Sequence, residues 1–168
     1  MAHSSRILLR SVIFISAMMF HASAHAEAKV GDRFGDWALD CQAVAAEKNV
    51  CALTQVITKN NRPLLKLRLR HDGEKKDLEL VAWVPLGIQL PVGVTGAVAK
   101  DKAFPFTVQT CIKLACIATA KVDANLLKSM QSSEKLAITF FMLNTGKPVV
   151  VEGSLKGLAE GLKVISPK

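Results

Sequence analysis

The stretch RPLLKLRLRHDGEKKDLELVAWVPLGIQLPVGV, Arg62 to Val94, decides how the rest of the chain is read. Leu65, Leu67 and Leu69 alternate with Lys66, Arg68 and Arg70, and Leu78 and Leu80 alternate with Asp77 and Glu79. A period of two places one set of side chains on each face of a strand. Between the runs stands Asp72-Gly73, a dipeptide favoured in two-residue type I′ turns because both central residues need positive φ. A hairpin folded about it sets Leu67 against Leu78, Leu65 against Leu80, Arg68 against Asp77 and Lys66 against Glu79. Each opposite-charge pair across an antiparallel ladder contributes roughly 0.2–1 kcal/mol. A one-residue slip would turn the charged set into the core. The expectation is a hairpin with one apolar and one charged face.

Outward from this hairpin the same period recurs. Residues 36–41 put Trp37, Leu39 and Cys41 on one face, and residues 51–58 read as the next strand, with residues 42–49 as a loop and residues 27–35 as a loosely held arm. On the other side, residues 84–91 are apolar, but Pro85, Gly87 and Pro91 keep them out of a central strand. Such a loop folds back over the core or is exposed for contact. Residues 92–98 form a small-residue strand and Lys100-Asp101-Lys102 a solvated turn, and residues 104–110 and 116–122 form a second hairpin that turns at 112–115. Asp123 is placed to cap a helix over residues 124–131. Residues 135–143 are apolar on both faces and predict a central strand covered on both sides, followed by a strand over 148–152. Ser154 then reads as the cap of a helix over residues 155–162. The fold class is all-β and mainly antiparallel, a sandwich or open barrel of about eight short strands with two short helices; the sandwich is favoured.

The amino-terminal segment is read separately. Arg6 and Arg10 precede an apolar run over residues 11–20, and Ala24-His25-Ala26 has the small-x-small form of a cleavage site. This predicts a secretory signal peptide over residues 1–26, cleaved, and a single disulfide-stapled β domain over residues 27–168. A spanning helix needs roughly 20 apolar residues, and Arg10 interrupts this run too early. No later stretch qualifies, so no transmembrane span is expected in the mature chain. Loss of Arg6 and Arg10 lowers the formal net charge from +8 to +6, and His3, His21 and His25 leave with them.

The four cysteines, Cys41, Cys51, Cys111 and Cys116, all lie in the exported part. An even set in an oxidising compartment reads as two disulfides, for which three connectivities exist. The local pairing, Cys41–Cys51 and Cys111–Cys116, is favoured because each pair closes a short segment between flanks that read as antiparallel strands. A zinc site would want C-x₂₋₄-C spacing or histidine partners, and His71 is the one histidine beyond residue 26. No metal or cofactor is expected.

Catalytic chemistry finds few residues to use. Ser-His-Asp and Cys-His arrangements need a proton-moving histidine. His71 sits beside a turn whose acidic neighbours are ordinary turn residues, and the chain contains no tyrosine. Asp77 and Glu79, the clearest paired carboxylates, already have basic partners in the expected register. No phosphate-cradling glycine loop or H-E-x-x-H motif occurs. The chain is not expected to be an enzyme. The basic row is more suggestive: Lys66, Arg68 and Arg70, with Lys75 and Lys76 across the turn and Leu86 and Ile88 in the apolar loop beside them, form the candidate contact surface. Such a patch attracts an anionic envelope component or a protein partner. Nucleic acid is set aside, because the chain is read as exported and the patch lacks interleaved aromatics. The plain alternative is a charged row that protects a sheet edge from aggregation.

GDWALDC (Gly35–Cys41), CALTQ (Cys51–Gln55), VPLGIQLPVGV (Val84–Val94), the Cys111/Cys116 pair leading into VDANLL (Val122–Leu127), and SLKGLAEGL (Ser154–Leu162) occur in a fixed order. In that order and spacing they resemble the invasion-associated locus B family of Gram-negative exported proteins, over about Gly31 to Leu162. The family tends to carry glycine before the second cysteine of the later pair, where this chain has Ala115. The resemblance implies a small β-rich protein, periplasmic, outer-membrane-associated or secreted, linked to host-cell invasion, with no known enzyme activity or established ligand. Only the cysteines transfer, as structural positions. The expected function is an exported, non-enzymatic binding protein of the cell envelope. The alternative is a periplasmic carrier or chaperone-like protein that holds a small apolar ligand between its sheets.

Overall fold

The central hairpin forms, but in a register different from the one expected. The computed structural model describes residues 28–45, 48–72, 77–99 and 103–166, so the expected signal peptide lies outside the described residues. Strand β4 (Arg62–His71) pairs with β5 (Leu78–Val84) so that Lys66 faces Trp83, Leu67 faces Ala82, Leu69 faces Leu80 and Arg70 faces Glu79. The expected pairs Lys66–Glu79 and Arg68–Asp77 are therefore displaced by four residues. An even slip keeps every side chain on its face, and Leu65, Leu67, Leu69, Leu78, Leu80 and Ala82 are all buried. The physical reason lies in two mismatches of the expected register, which set Leu69 against Lys76 and Arg70 against Lys75. Leu69–Leu80 and Arg70–Glu79 replace them. The connection is correspondingly longer than a two-residue turn: the Asp72 N–H donates to the Asp77 carbonyl at 2.7 Å, and residues 73–76 lie outside the described residues.

Around this hairpin stand β1 (Arg33–Phe34), β2 (Trp37–Ala45), β3 (Lys48–Lys59), β6 (Val94–Val98), β7 (Phe104–Cys111), β8 (Cys116–Val122), β9 (Lys135–Phe141) and β10 (Pro148–Ser154). All ten belong to one antiparallel sheet in the order β1-β2-β3-β4-β5-β8-β7-β6-β9-β10. Of the two architectures expected, the open barrel is the one that forms, as a curled half-barrel with ten strands instead of eight. A sandwich would need two separate sheets, but β7 belongs to both halves. Phe104 and Phe106 pair with Gly96 and Val94 of β6, while Thr107 to Cys111 pair with β8 across an irregularity between Val108 and Thr110. A bulge of this kind bends a strand and increases its twist. The extra length comes from the expected arm, which holds β1, and from the expected loop over 42–49, most of which is strand. In β9 burial alternates: Leu136, Ile138 and Phe140 are buried, while Ala137, Thr139 and Phe141 are half-buried. It is not covered on both faces as expected.

Helix α1 (Ala124–Ser132) begins where Asp123 accepts the Leu126 N–H at 2.8 Å. Helix α2 spans Leu158–Ile165 instead of 155–162, and Gly157 occupies its N-cap. Ser154 is the last residue of β10, not a cap. Met130 of α1 and Leu158, Leu162 and Ile165 of α2 join Trp37, Leu53, Leu67 and Phe140 in one core inside the curl. No helix among the described residues is long and apolar enough to cross a membrane.

Strand β10 approaches β3 without a backbone ladder, and side chains close the gap. Gln55 Nε2 donates to the carbonyls of Ser154 (3.0 Å) and Asp36 (3.3 Å), and Gln55 Oε1 accepts the Ser154 N–H at 2.8 Å. Trp37 Nε1 donates to the same Ser154 carbonyl at 2.9 Å. Gly153 makes the approach possible, because a Cβ there would press on Leu67 and Gln55. Gln55→Leu keeps the volume but strands the Ser154 N–H. The expected loss is about 2 kcal/mol in urea unfolding, and an unchanged midpoint would show that Gln55 does not hold the seam.

Candidate contact surface

The basic row of β4 lies on the outer face of the sheet, and each of its described members is engaged. The Lys66 ammonium stands over the Trp83 ring, 5.3 Å from its centroid. Arg70 Nε and Nη2 both donate to Glu79 Oε2, at 3.1 and 2.8 Å. Glu79 faces Lys121 of β8, and Lys121 in turn reaches Asp77 at 2.8 Å. Its hydrogen bond to Asp77, and then the Coulomb attraction of that carboxylate, hold the Lys121 ammonium above the usual lysine pKa. Charges thus alternate across β4, β5 and β8. Lys75 and Lys76 lie outside the described residues.

Arg68 departs furthest from the sequence reading. It is only 8 % exposed. Nη1 reaches Gln42 Oε1 at 3.4 Å, and Nε has no hydrogen-bond partner. Burial removes it from the candidate contact surface. A buried cation with an unsatisfied donor costs more than it returns, so Arg68→Met is expected to raise stability by about 1 kcal/mol. A loss of that size on thermal unfolding would show instead that the guanidinium is well satisfied.

The apolar loop over residues 85–93 does both things expected of it. Ile88 is 5 % exposed and bridges to Met142, so it belongs to the core cover and not to a contact surface. Leu86 is exposed. The loop is pinned where the Gln89 N–H donates to the Phe141 carbonyl (2.8 Å) and the Leu143 N–H to the Gly87 carbonyl (2.7 Å). The two disulfides join directly facing residues, Cys41–Cys51 across β2 and β3 and Cys111–Cys116 across β7 and β8.

The residues considered for catalysis do not converge. His71 ends β4 opposite Leu78, while Asp77 and Glu79 face Lys121 and Arg70. Among the described residues, no group of three His, Cys, Asp or Glu side chains could hold a metal ion. A cleft of about 780 Å³ lies between the end of α1, the start of β9 and the start of α2. Glu134, Lys135, Glu152, Lys156 and Glu160 line it, and Lys135 is paired with Glu152 at 2.6 Å. Sequence reasoning missed this cleft because its walls, residues 131–135 and 152–160, meet only through the pairing of β9 with β10.

Comparison with known proteins agrees with this architecture. The family model described as "Invasion associated locus B (IalB) protein" matches residues 37–166. "Invasion protein B" of Bartonella bacilliformis is 23 % identical over 135 residues, covering 79 % of this chain and 72 % of that protein. The crystal structure of invasion associated protein B from Bartonella henselae superposes with a TM-score of 0.73 at 18 % identity, over 82 % of this chain and 95 % of that one. At that identity the likeness concerns the fold.

Proposed function

This chain belongs to the invasion associated locus B family, and on that premise we propose that it is an exported, non-enzymatic binding protein of the cell envelope that serves an invasion-associated contact. The observation that carries the reading is the oxidised state of all four cysteines. Disulfides of this structural kind persist outside the cytosol, where reducing systems do not reopen them. The names of the two Bartonella relatives supply the invasion-associated context. A carrier role would call for a lined apolar cavity between strands. Against it, a Cβ added at Gly153 or Gly161 would already meet Leu67 or Leu53 inside the curl.

Fractionation of the bacterium that encodes the chain tests the reading. The protein should appear in the periplasmic or outer-membrane fraction, starting at Glu27, with every cysteine protected from alkylation until reductant is added. Recovery from the cytosol with free thiols would sink the proposal.

A further inference from the structure

Four connections emerge from one end of the sheet: residues 59–62 between β3 and β4, 85–93 between β5 and β6, 112–115 between β7 and β8, and 142–147 between β9 and β10. They contain Lys59, Arg62, Lys113 and Lys147 and no aspartate or glutamate. The connections at the opposite end carry Asp72, Asp77, Asp123 and Glu134 among others. All four cations of the acid-free end are exposed. Large aliphatic side chains stand beside them: Leu114 is 87 % exposed and Leu143 68 %, and Leu86, Leu90, Val92 and Ile112 are exposed as well.

These side chains form one surface. Leu86 and Leu114 line a common depression with Trp83. Leu90 lies beside Cys111, next to Ile112, and Leu143 is tied through its backbone to Gly87. The backbone presenting them is held by the Cys111–Cys116 bond and by the Gln89 and Leu143 hydrogen bonds, so the tips are fixed outward. In water this arrangement leaves apolar area uncovered. At a bilayer surface it places aliphatic tips at the acyl boundary and cations at the headgroups. There each basic residue near an anionic leaflet contributes about 1 kcal/mol, and buried aliphatic groups add to it.

We propose that this acid-free end of the half-barrel docks on an anionic phospholipid bilayer, with Leu114, Leu143 and Leu86 inserted at the interface and Lys59, Arg62, Lys113 and Lys147 on the headgroups. A bilayer fits better than a protein partner because the exposed apolar residues are spread over three separate loops and the interleaved charge has one sign. The proposal deepens the envelope-binding reading and rests on it.

Flotation of the processed protein with vesicles tests it. Vesicles of equal parts phosphatidylglycerol and phosphatidylcholine should carry the protein upward at low salt, and pure phosphatidylcholine vesicles should not. Lys113→Glu combined with Lys147→Glu should weaken binding at least tenfold. Leu114→Ser combined with Leu143→Ser should abolish the binding that survives high salt. Lys128→Glu, at an exposed position of α1 at the other end, should bind as the parent does. All these positions are exposed, so unchanged melting temperatures verify that each variant is folded. No flotation by the parent protein, or equal losses in Lys128→Glu, would overturn the inference. If that happens while fractionation still places the oxidised protein in the envelope, the docking surface fails and the envelope-binding reading stands.

Discussion

Replacing Gly157 by alanine should cost about 4 kcal/mol and lower Tm by roughly 10–15 °C. Gly157 has φ +84° at the N-cap of α2, and a Cβ there would overlap the backbone carbonyl of Phe34. Its neighbour in the contact is equally constrained. Gly35, at φ +56°, meets the Lys156 carbonyl, and the Asp36 N–H donates to that carbonyl at 3.1 Å. Two backbone segments therefore touch where β1 and β2 meet the start of α2, and neither can retreat without losing hydrogen bonds. Gly93 provides the control. It also has positive φ, +78°, but nothing lies within reach of an added Cβ. Gly93→Ala should cost only the left-handed backbone term, about 1 kcal/mol. Equal losses in the two variants, measured by thermal unfolding, would falsify the contact argument and leave backbone conformation as the whole effect.

Trp37→Ala should be nearly as damaging, also about 4 kcal/mol. Trp37 is fully buried at the start of β2 and is among the largest core side chains. Its indole N–H closes the gap between β2 and β10 through the Ser154 carbonyl. Alanine removes both the ring volume and the bond. Trp37→Phe keeps most of the volume and isolates the hydrogen bond, with an expected loss of about 1–2 kcal/mol. Denaturant unfolding of the two variants separates packing from polar closure. If phenylalanine is as harmful as alanine, the hydrogen bond dominates; if it is harmless, packing alone holds the seam.

The faces of β4 and β5 were legible in the sequence, because alternation survives any even slip. The register was not. Asp72-Gly73 is a strong local signal, but Leu69 and Arg70 find suitable partners only when the connection lengthens, and the like charges of Arg70 and Lys75 in the shorter hairpin were the available clue. Asp123 declared α1 correctly, since a cap acts on its own first turn. Ser154 misled for the opposite reason. Its backbone is claimed by Gln55 and Trp37, more than a hundred residues away in the case of Trp37, and no local pattern announces such a claim. Arg68 looked solvated because it alternates with leucines, yet the outer face at its row is covered. The acid-free loops were readable one by one. Their convergence on one end needed the strand order.

Each disulfide joins two cysteines that are consecutive in the sequence, first Cys41 with Cys51, then Cys111 with Cys116. For a polypeptide threaded amino end first through an export channel, thiols arrive in pairs that already belong together. An oxidant that joins them in order of arrival makes both native bonds, and no mispaired intermediate has to be reshuffled. On the export proposed above, maturation of this protein asks for a thiol oxidase and not for an isomerase.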